Sequence, residues 1–330
     1  MNIDYYDYLC CPNCNGSLNL TVNKKNKIGI QEGSLSCNNC SNTYPIIDYI
    51  PRFVDFDNYS SNFGFEWNLL GYLKSDSYTK KDFTKNTILI RTGWAEEFFK
   101  DKLILVCGCG PGNDSEALLK MGAKVIAFDY SNSVKLAFNK NGKNPNFLVV
   151  QANIFKIPLK LNLFDIVFCH RVIQHTPNPE LAFYSMVKHI KIGGNIFLHS
   201  YGLTPRSRIN YHYILRFITK RINYYLTYKV LEKTGPFLYE LVGMLKNQKN
   251  RLYSIILRFI PFENFKTVLA GSNLTEREKY LLTLLNVFDR LTPKYDNPNT
   301  VMEILNWFKK KDLKGIQIRG INPVLIVAKK

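Results

Sequence analysis

The sequence of 330 residues lacks an uninterrupted apolar run long enough to cross a lipid bilayer. Apolar stretches such as residues 254–262 are short and contain Arg258 and Pro261, whereas a membrane-spanning helix needs about 20 apolar residues. Residues 1–10 carry acidic and aromatic side chains where a secretory signal has a basic segment and an apolar core. We therefore expect a soluble, cytoplasmic protein without a transmembrane segment.

Acidic residues are scarce, above all in the carboxyl-terminal part of the chain. The sequence has 44 Lys/Arg against 26 Asp/Glu, a net charge of +18. Residues 1–54 are neutral (four against four), residues 55–200 carry +4 (17 against 13), and residues 201–330 carry +14 (23 against nine). The imbalance is typical either of a lysine-rich solvated surface or of a site for an acidic partner, and both interpretations stay open.

Cysteine is absent beyond residue 169, and five of the eight cysteines crowd into the first 40 residues. Cys11 with Cys14, and Cys37 with Cys40, form two C-x2-C knuckles that can aim four thiolates at one tetrahedral ion. Cys10 adjoins Cys11 too closely to share this geometry. Because so short a module with few large apolar side chains needs a metal to fold, the pattern predicts a structural zinc, with reduced free cysteines as the alternative.

Short strands are predicted around the knuckles, at residues 17–22, 28–31, 33–36 and 44–47, which is the layout of a zinc ribbon. The module also resembles the small ribbon domain related to the zinc-binding activator subunit of tRNA and release-factor methyltransferases. The matching residues are Leu9, 11–14 (CPNC), Leu18, 37–40 (CNNC) and 44–51 (YPIIDYIP). The resemblance implies a structural or docking role.

A glycine-rich loop, Gly108-Cys109-Gly110-Pro111-Gly112, lies between a predicted strand and a predicted helix. Its glycines let a ligand approach the backbone, and Asp129, 21 residues after Gly108, can accept two hydrogen bonds from ribose hydroxyls. The spacing is not the G-x-G-x-x-G of dinucleotide sites, and Asp114 and Glu116 would repel a phosphate at the helix start. The pattern favours a cofactor without phosphates, with a tight turn that binds nothing as the alternative.

Strands and helices alternate from residue 103 onward, which is typical of a parallel sheet with helical crossovers. The predicted strands are residues 103–107, 124–128, 147–150, 164–170 and 196–200, with a helix at 113–121 and a turn at 191–195. A helix at 300–310 and a strand pair at 315–319 and 323–328 complete seven strands. The predicted fold is therefore α/β: a doubly wound seven-stranded sheet with a small amino-terminal zinc ribbon and a helical insertion.

With these elements the chain resembles class I S-adenosylmethionine-dependent methyltransferases, especially the bacterial group similar to the ubiquinone-biosynthesis methyltransferases. The resemblance covers residues 87–201 and 291–330 and implies S-adenosylmethionine as cofactor. It places Gly108, Gly110 and Gly112 at the methionyl part of the cofactor and Asp129 at its ribose. Asn153 and Ile154 are expected at the adenine, and Cys169 and His170 near the sulfonium. The adjoining residues Cys109 and Tyr130 are expected in the same site. The chain departs from the family at Val106, where an acid is common, and at Asn153, where Asp is common.

Residues that could act as a general base follow the fourth and fifth strands of the predicted sheet, where doubly wound folds place their sites. They are His175, His199 and Tyr201, and each could instead be a structural residue. His175 is the first candidate because residues 172–177 (VIQHTP) resemble the family loop beside the transferred methyl group. Cys107 and Cys109 are expected to be small packing groups.

The predicted domains are a ribbon at residues 1–54, a linker or lid at 55–86, and a methyltransferase domain at 87–330 with a helical insertion at 202–290. In the linker, Trp67 either packs within a short helix or covers the cofactor. Within the insertion, residues 206–266 carry 12 Lys/Arg, three Asp/Glu and twelve Phe/Tyr. This composition predicts amphipathic helices, broken near Gly235-Pro236 and at Pro261, that cap the active site.

These features predict methyl transfer to oxygen or carbon of a small or carrier-linked metabolite. The basic insertion also suits peripheral contact with an anionic membrane, or an RNA groove and RNA base methylation. RNA is less favoured because the ribbon is electrically neutral. A further alternative is a non-catalytic interaction protein, which Val106 favours.

Overall fold

The computed structural model describes residues 1–55, 58–203, 211–246, 257, 260, 262 and 274–330. These residues form two sheets, one of four strands and one of seven, together with helices that cover the larger sheet. None of the helices in the described ranges is long and apolar enough to cross a membrane.

The amino-terminal sheet is antiparallel and follows a 3₁₀ helix, Ile3–Tyr8. Its strands, in spatial order, are β1 (Leu18–Asn26), β2 (Gly29–Cys37), β3 (Thr43–Ile47) and β4 (Ile50–Pro51). The prediction of two separate strands at 28–31 and 33–36 was wrong, because Gly33 pairs with Val22 on one side and Ile46 on the other and keeps β2 continuous. A Cβ at Gly33 would lie 2.2 Å from the Thr21 carbonyl oxygen, so this close crossing requires glycine.

The larger sheet has the spatial order β10-β11-β9-β8-β5-β6-β7. Strands β5 to β9 are parallel, and β11 is antiparallel to both of its neighbours. This confirms the predicted seven-stranded doubly wound sheet. The strands are β5 (Leu103–Cys107), β6 (Lys124–Asp129), β7 (Phe147–Gln151), β8 (Phe164–His170), β9 (Ile190–Ser200), β10 (Lys314–Ile321) and β11 (Val324–Lys329).

Strand β9 begins six residues earlier than predicted, and Gly193 and Gly194 lie inside it instead of forming a turn before it. The pairing of β8 with β9 shifts register between Phe164 and Ile166. Gly193 has φ +76°, and a Cβ at Gly194 would lie 2.9 Å from the Phe164 carbonyl oxygen. The two glycines therefore absorb an irregularity within the strand.

Ten α-helices lie in the described residues. They are α1 (Ser61–Leu70), α2 (Asp76–Thr79), α3 (Phe83–Thr92), α4 (Asn113–Lys120), α5 (Val134–Asn141), α6 (Pro179–Val187), α7 (Tyr211–Thr219), α8 (Tyr224–Lys246), α9 (Glu276–Leu291) and α10 (Val301–Lys310). Thr275 and Thr300 begin α9 and α10 with capping boxes, in which each threonine exchanges hydrogen bonds with a glutamate three residues later.

Helix α8 runs without interruption through Gly235 and Pro236, so the predicted break there was wrong. Residues on both sides of the proline, such as Tyr228 and Tyr239, pack in one apolar cluster with Phe288 of α9. This packing outweighs the cost of a proline within a helix. The predicted break at Pro261 lies outside the described residues.

The ribbon is joined to the larger sheet by backbone hydrogen bonds and by a shared core. Leu9 pairs antiparallel with Leu159, and the Cys10 N–H donates to the Pro158 carbonyl at 3.0 Å. At the carboxyl end of β7, the Phe53 N–H donates to the Gln151 carbonyl at 2.8 Å. A single apolar cluster contains buried side chains of both regions, such as Leu18 and Leu35 with Leu148, Ile154 and Leu159.

Candidate functional site

The four cysteines of the two knuckles come together at one end of the ribbon. All four Sγ atoms lie within 4.8 Å of one another, with 3.5 Å between Cys11 and Cys40 and 3.4 Å between Cys14 and Cys37. Tetrahedral zinc with bonds of about 2.3 Å needs sulfur atoms about 3.8 Å apart, so the donor set fits this ion. Cys10 is not in the group. Zinc binding stays a prediction, which this geometry supports.

The glycine loop adopts a backbone that only glycine takes up without strain. Gly108, Gly110 and Gly112 have φ angles of +71°, +51° and +83°. A Cβ at Gly108 would lie 2.5 Å from the Val172 side chain, and one at Gly112 would lie 2.9 Å from the Cα of Ala137. The loop is therefore held tightly at the carboxyl ends of β5 and β6, where doubly wound sheets bind ligands.

Asp129 ends β6, and its carboxylate is anchored to the glycine loop. It accepts hydrogen bonds from the Gly110 N–H (2.8 Å), the Ser131 N–H (2.8 Å) and the Ser131 hydroxyl (2.7 Å). Burial raises the pKa of this carboxyl, and the hydrogen bonds partly oppose the rise. A carboxylate has about four acceptor positions, so about one is left for a ribose hydroxyl instead of the two expected from the sequence.

The residues expected at adenine face the ribbon side of the sheet. The Asn153 side chain accepts the Phe155 N–H at 3.0 Å, and Ile154 is buried in the core shared with the ribbon. Cys109 and Cys169 are also buried, within the core. Tyr130 instead lies near the surface, where its ring contacts that of Tyr59 at 4.9 Å between centroids.

His170 lies in a buried polar chain that the sequence did not predict. Its Nδ1 is 2.8 Å from Asp114 Oδ2, and its Nε2 is 2.6 Å from Arg91 Nη1. Because a guanidinium only donates, Nε2 accepts from Arg91 and the Nδ1–H donates to Asp114. Burial lowers the pKa of His170, so the ring is held neutral. Burial alone would raise the pKa of Asp114, but His170, Arg171 and Arg91 outweigh it and hold that pKa below its ordinary value.

His199 lies beside this group of hydrogen-bonded side chains, and its ring centroid is 5.0 Å from that of His170. Its Nδ1 is 3.4 Å from Arg91 Nη1, and its Nε2 has no hydrogen-bond partner in the described part of the chain. Burial holds the pKa of His199 well below its ordinary value. Arg91 therefore contacts both histidines. The sequence gives no pattern for this, since residues 91, 170 and 199 come from three separate elements.

His175 lies apart from the hydrogen-bonded group of Asp114, His170 and Arg91, and it is half-buried between aromatic rings. Phe63 of α1 is 5.1 Å and Tyr201 is 5.5 Å from it between ring centroids. Its Nδ1 lies 3.1 Å from the Tyr295 carbonyl, which only accepts, so Nδ1 carries a proton, and Nε2 has no hydrogen-bond partner among the described residues. Burial raises the pKa of Tyr201, which keeps its hydroxyl protonated. Phe63 was not predicted as a site residue.

Helix α1 covers the glycine loop. A Cβ at Gly110 would lie 3.5 Å from Trp67 Nε1, and one at Gly71 would lie 3.2 Å from Pro111. Phe65 points the other way and packs on Phe288 of α9, at 5.9 Å between ring centroids. Helix α1 is thus a packed helix with Trp67 beside the loop, and a cover over the cofactor stays a prediction. A recess of about 200 Å³ lies beside it, lined by Asn58, Ser61, Gly64, Phe65, Asn68, Ser131, Asn132 and Tyr224.

Known protein families match both parts of the chain. Residues 105–198 match the family described as Methyltransferase domain, and residues 5–48 match the family described as Trm112p-like protein. The ubiquinone biosynthesis O-methyltransferase of Nitrosomonas europaea is 25% identical over 172 residues, which are 47% of this chain and 72% of that protein. The enzyme of the same name from Dechloromonas aromatica is 26% identical over 185 residues, 50% of this chain and 78% of that protein.

Among solved structures, an O-methyltransferase family 2 protein from Planctomyces limnophilus, in complex with apigenin, is 14% identical. The match covers 69% of this chain and 51% of that one, with a TM-score of 0.37. Residues 105–198 are therefore similar to methyltransferase domains and are preceded by a Trm112p-like region, residues 5–48; the order of the seven strands and the glycine loop agree with an S-adenosylmethionine-dependent methyltransferase fold.

Proposed function

We propose that the protein methylates an oxygen or carbon atom of a small or carrier-linked metabolite, with His175 as the general base. The observation that carries the proposal is the orientation of the His175 ring, in which Nδ1 bonds the Tyr295 carbonyl and Nε2 has no hydrogen-bond partner in the described ranges. An acceptor hydroxyl or activated carbon must lose a proton as it attacks, and a positioned histidine contributes about 10²–10⁴-fold to such steps.

The surroundings of His175 suit a small acceptor. Phe63 and Tyr201 lie against the His175 ring, so an acceptor at this ring would contact aromatic side chains. His199 and His170 are poorer candidates, because each already has a ring nitrogen 3.4 Å or less from Arg91 and both are buried. In this proposal they position Arg91 and Asp114.

The cofactor would lie at the glycine loop, at the carboxyl ends of β5 and β6. In this proposal the methionyl part lies against the loop backbone, and Asp129 offers its remaining acceptor position to the ribose. When bound, S-adenosylmethionine supplies an electrophilic methyl group for an in-line displacement. Positioning by the enclosed site then provides much of the acceleration.

The domain roles follow the same proposal. Residues 1–54 act as a structural ribbon that holds zinc, residues 55–86 cover the cofactor, and residues 202–290 form the insertion on the acceptor side. The names of the curated relatives support oxygen as the acceptor atom and a lipid-like quinol carrier as one acceptor class.

The test combines labelled S-adenosylmethionine with a small-molecule extract or with total cellular RNA. We expect label in the small-molecule fraction, and a loss of about 10²-fold or more in rate for His175→Gln with unchanged cofactor binding. His189→Gln, which alters a histidine bonded to the Lys160 carbonyl away from the site, serves as the matched control. Stoichiometric label at one RNA position would replace the proposal with RNA methylation, and the absence of cofactor binding in calorimetry would favour a non-catalytic protein.

A further inference from the structure

Helix α8 has two apolar faces, and α7 exposes most of its apolar side chains, although a surface helix of a soluble protein normally has one apolar face, which is buried. The inner face is satisfied by packing on α9. Tyr228, Leu231 and Tyr239 are buried there in one cluster with Phe288. Arg216 of α7 donates to the Pro293 carbonyl at 2.9 Å just beyond the end of α9. The apolar side chains on the other side of these helices therefore need a separate explanation.

The outer apolar side chains share one face of each helix. Their spacing is three or four residues in α7, and four, seven and seven residues in α8. Between 53% and 71% of each side chain's surface is exposed. We call the following set the outer face: Ile214, Phe217, Ile218, Leu226, Val230, Phe237 and Met244. With Ile222 and Tyr225, residues 214–244 hold nine of the 24 exposed large apolar side chains in the described residues.

Cations border the outer face. Apart from the buried Arg216, residues 211–246 contain five Lys/Arg and two acidic residues. Lys220 and Arg221 lie in the turn between the helices, and Lys229, which pairs with Glu232 at 3.0 Å, and Lys233 are exposed beside the apolar residues of α8. The Arg221 guanidinium lies 4.1 Å from the Phe217 ring centroid, so a cation and an aromatic side chain share this surface.

We propose that the outer face docks the protein on the surface of an anionic lipid bilayer. An interfacial helix inserts its apolar side chains into the boundary of headgroups and acyl chains while its Lys and Arg contact anionic headgroups. The charged residues within α8, including Lys229, Glu232 and Lys233, agree with a helix that lies on the membrane and does not cross it.

Two other occupants fit the same residues less well. A second copy of the chain would bring like charges at Lys220, Arg221 and Lys233 close together. RNA binds through stacked aromatic rings in a basic groove, whereas five of the seven outer-face side chains are aliphatic. The proposal goes beyond the methyl-transfer function and is independent of it, because docking requires neither cofactor nor acceptor.

The test measures cosedimentation of the full chain with phosphatidylcholine vesicles that do or do not contain phosphatidylglycerol. We expect binding only to the anionic vesicles, with an affinity that decreases as salt is raised. Phe217→Glu/Phe237→Glu should weaken it about tenfold or more, since two inserted rings become anions. The matched control is Ile192→Glu/Ile321→Glu, which changes two exposed side chains of β9 and β10.

A second pair of variants tests the charges without altering the apolar residues. Lys220→Ser/Lys233→Ser should weaken binding to anionic vesicles about tenfold, whereas Lys25→Ser/Lys27→Ser in the ribbon should not. Circular dichroism verifies that each variant is folded. The proposal is overturned if the chain does not bind anionic vesicles at low salt or if Phe217→Glu/Phe237→Glu binds as the wild type does. It is also overturned if that variant abolishes only self-association, or if the chain binds RNA but not vesicles. Asp129→Ala should bind vesicles normally, so a failure of the methyl-transfer proposal would leave this result unchanged.

Discussion

The ribbon and the helical insertion are both attached to the seven-stranded sheet, but they are stabilised in different ways. The buried side chains of the ribbon belong to the core of the sheet, so the ribbon has no separate apolar core. The insertion helices have a core of their own, built by α8 and α9. The ribbon is neutral, whereas residues 201–330 carry +14. Changes in the ribbon should therefore spread to the sheet, and changes in the insertion should stay local.

The largest expected effect comes from the cysteine cluster. Cys37→Ala removes one ligand, and zinc binding contributes about 10 kcal/mol or more to the folding of small zinc domains. Because the ribbon shares its core with the sheet, we expect Tm of the whole chain to fall by about 10 °C or more. Cys10→Ala is the control and should retain one zinc per chain. Elemental analysis that finds no stoichiometric metal in freshly purified wild-type protein would contradict the prediction.

The next effect concerns the proposed cofactor site at Asp129 and the glycine loop. Asp129→Ala should weaken binding of S-adenosylmethionine by about 1.5–3 kcal/mol, because it removes a charge-assisted acceptor and the anchor of the Gly110 N–H. Calorimetry gives the two dissociation constants. Asp165→Ala is the matched control, since Asp165 also accepts a backbone N–H, from Leu103, at the opposite end of the sheet. An unchanged Kd for Asp129→Ala would place the ribose elsewhere.

Acid should weaken the contact between ribbon and sheet. His189 bonds the Lys160 carbonyl, and Lys160 in turn donates its N–H to Tyr8 of the ribbon. Burial lowers the pKa of His189 to about 4, so between pH 6.5 and 4 the folded state binds fewer protons than the unfolded state. Stability should therefore fall as the pH falls, by about 2 kcal/mol at pH 5 from this residue.

Thermal unfolding at several pH values measures this effect. His189→Gln should flatten the dependence between pH 6.5 and 4, because the glutamine does not titrate. If the variant and the wild type lost stability in parallel over this range, His189 would not be the titrating group.

The smallest expected effect lies in the insertion. Pro236→Ala restores an N–H that can bond the exposed Glu232 carbonyl in α8, so we expect a gain of about 1 kcal/mol. Because the insertion has its own core, the gain should appear as slower hydrogen exchange of α8 with little change in Tm. A lower stability would mean that the proline is held by contacts that an alanine loses.

Sequence patterns predicted the parts of the fold that local signals determine. The strands at 103–107 and 164–170 agree with β5 and β8, because buried apolar runs bounded by polar residues or glycine identify them. The patterns failed where packing or pairing with residues distant in the sequence determines whether an element continues. Gly33, Gly194 and Pro236 all look like breaks in the sequence, yet a neighbouring strand or helix keeps each element continuous.

At the candidate site, too, patterns within one segment were predicted, whereas contacts between distant segments were not. The cysteine knuckles and the glycine loop are contiguous patterns, and the structure groups the residues of each. The contact of Asp114, His170 and Arg91 joins three segments, so no pattern within one of them could reveal it. The assignments of His175, Asn153 and Ile154 stay predictions, since their roles depend on a bound cofactor and acceptor.

The pairing of the ribbon with β7 also bears on aggregation. β7 and β10 are the two edge strands of the larger sheet, and edge strands offer unpaired backbone groups to other chains. β10 is mostly exposed and carries Lys314 and Arg319, charges that discourage such pairing. β7 is buried and has no charged residue, and the segment at Arg52 pairs with its last residue, Gln151. The ribbon thus occupies the carboxyl end of this apolar edge, where the strand of another copy could otherwise pair.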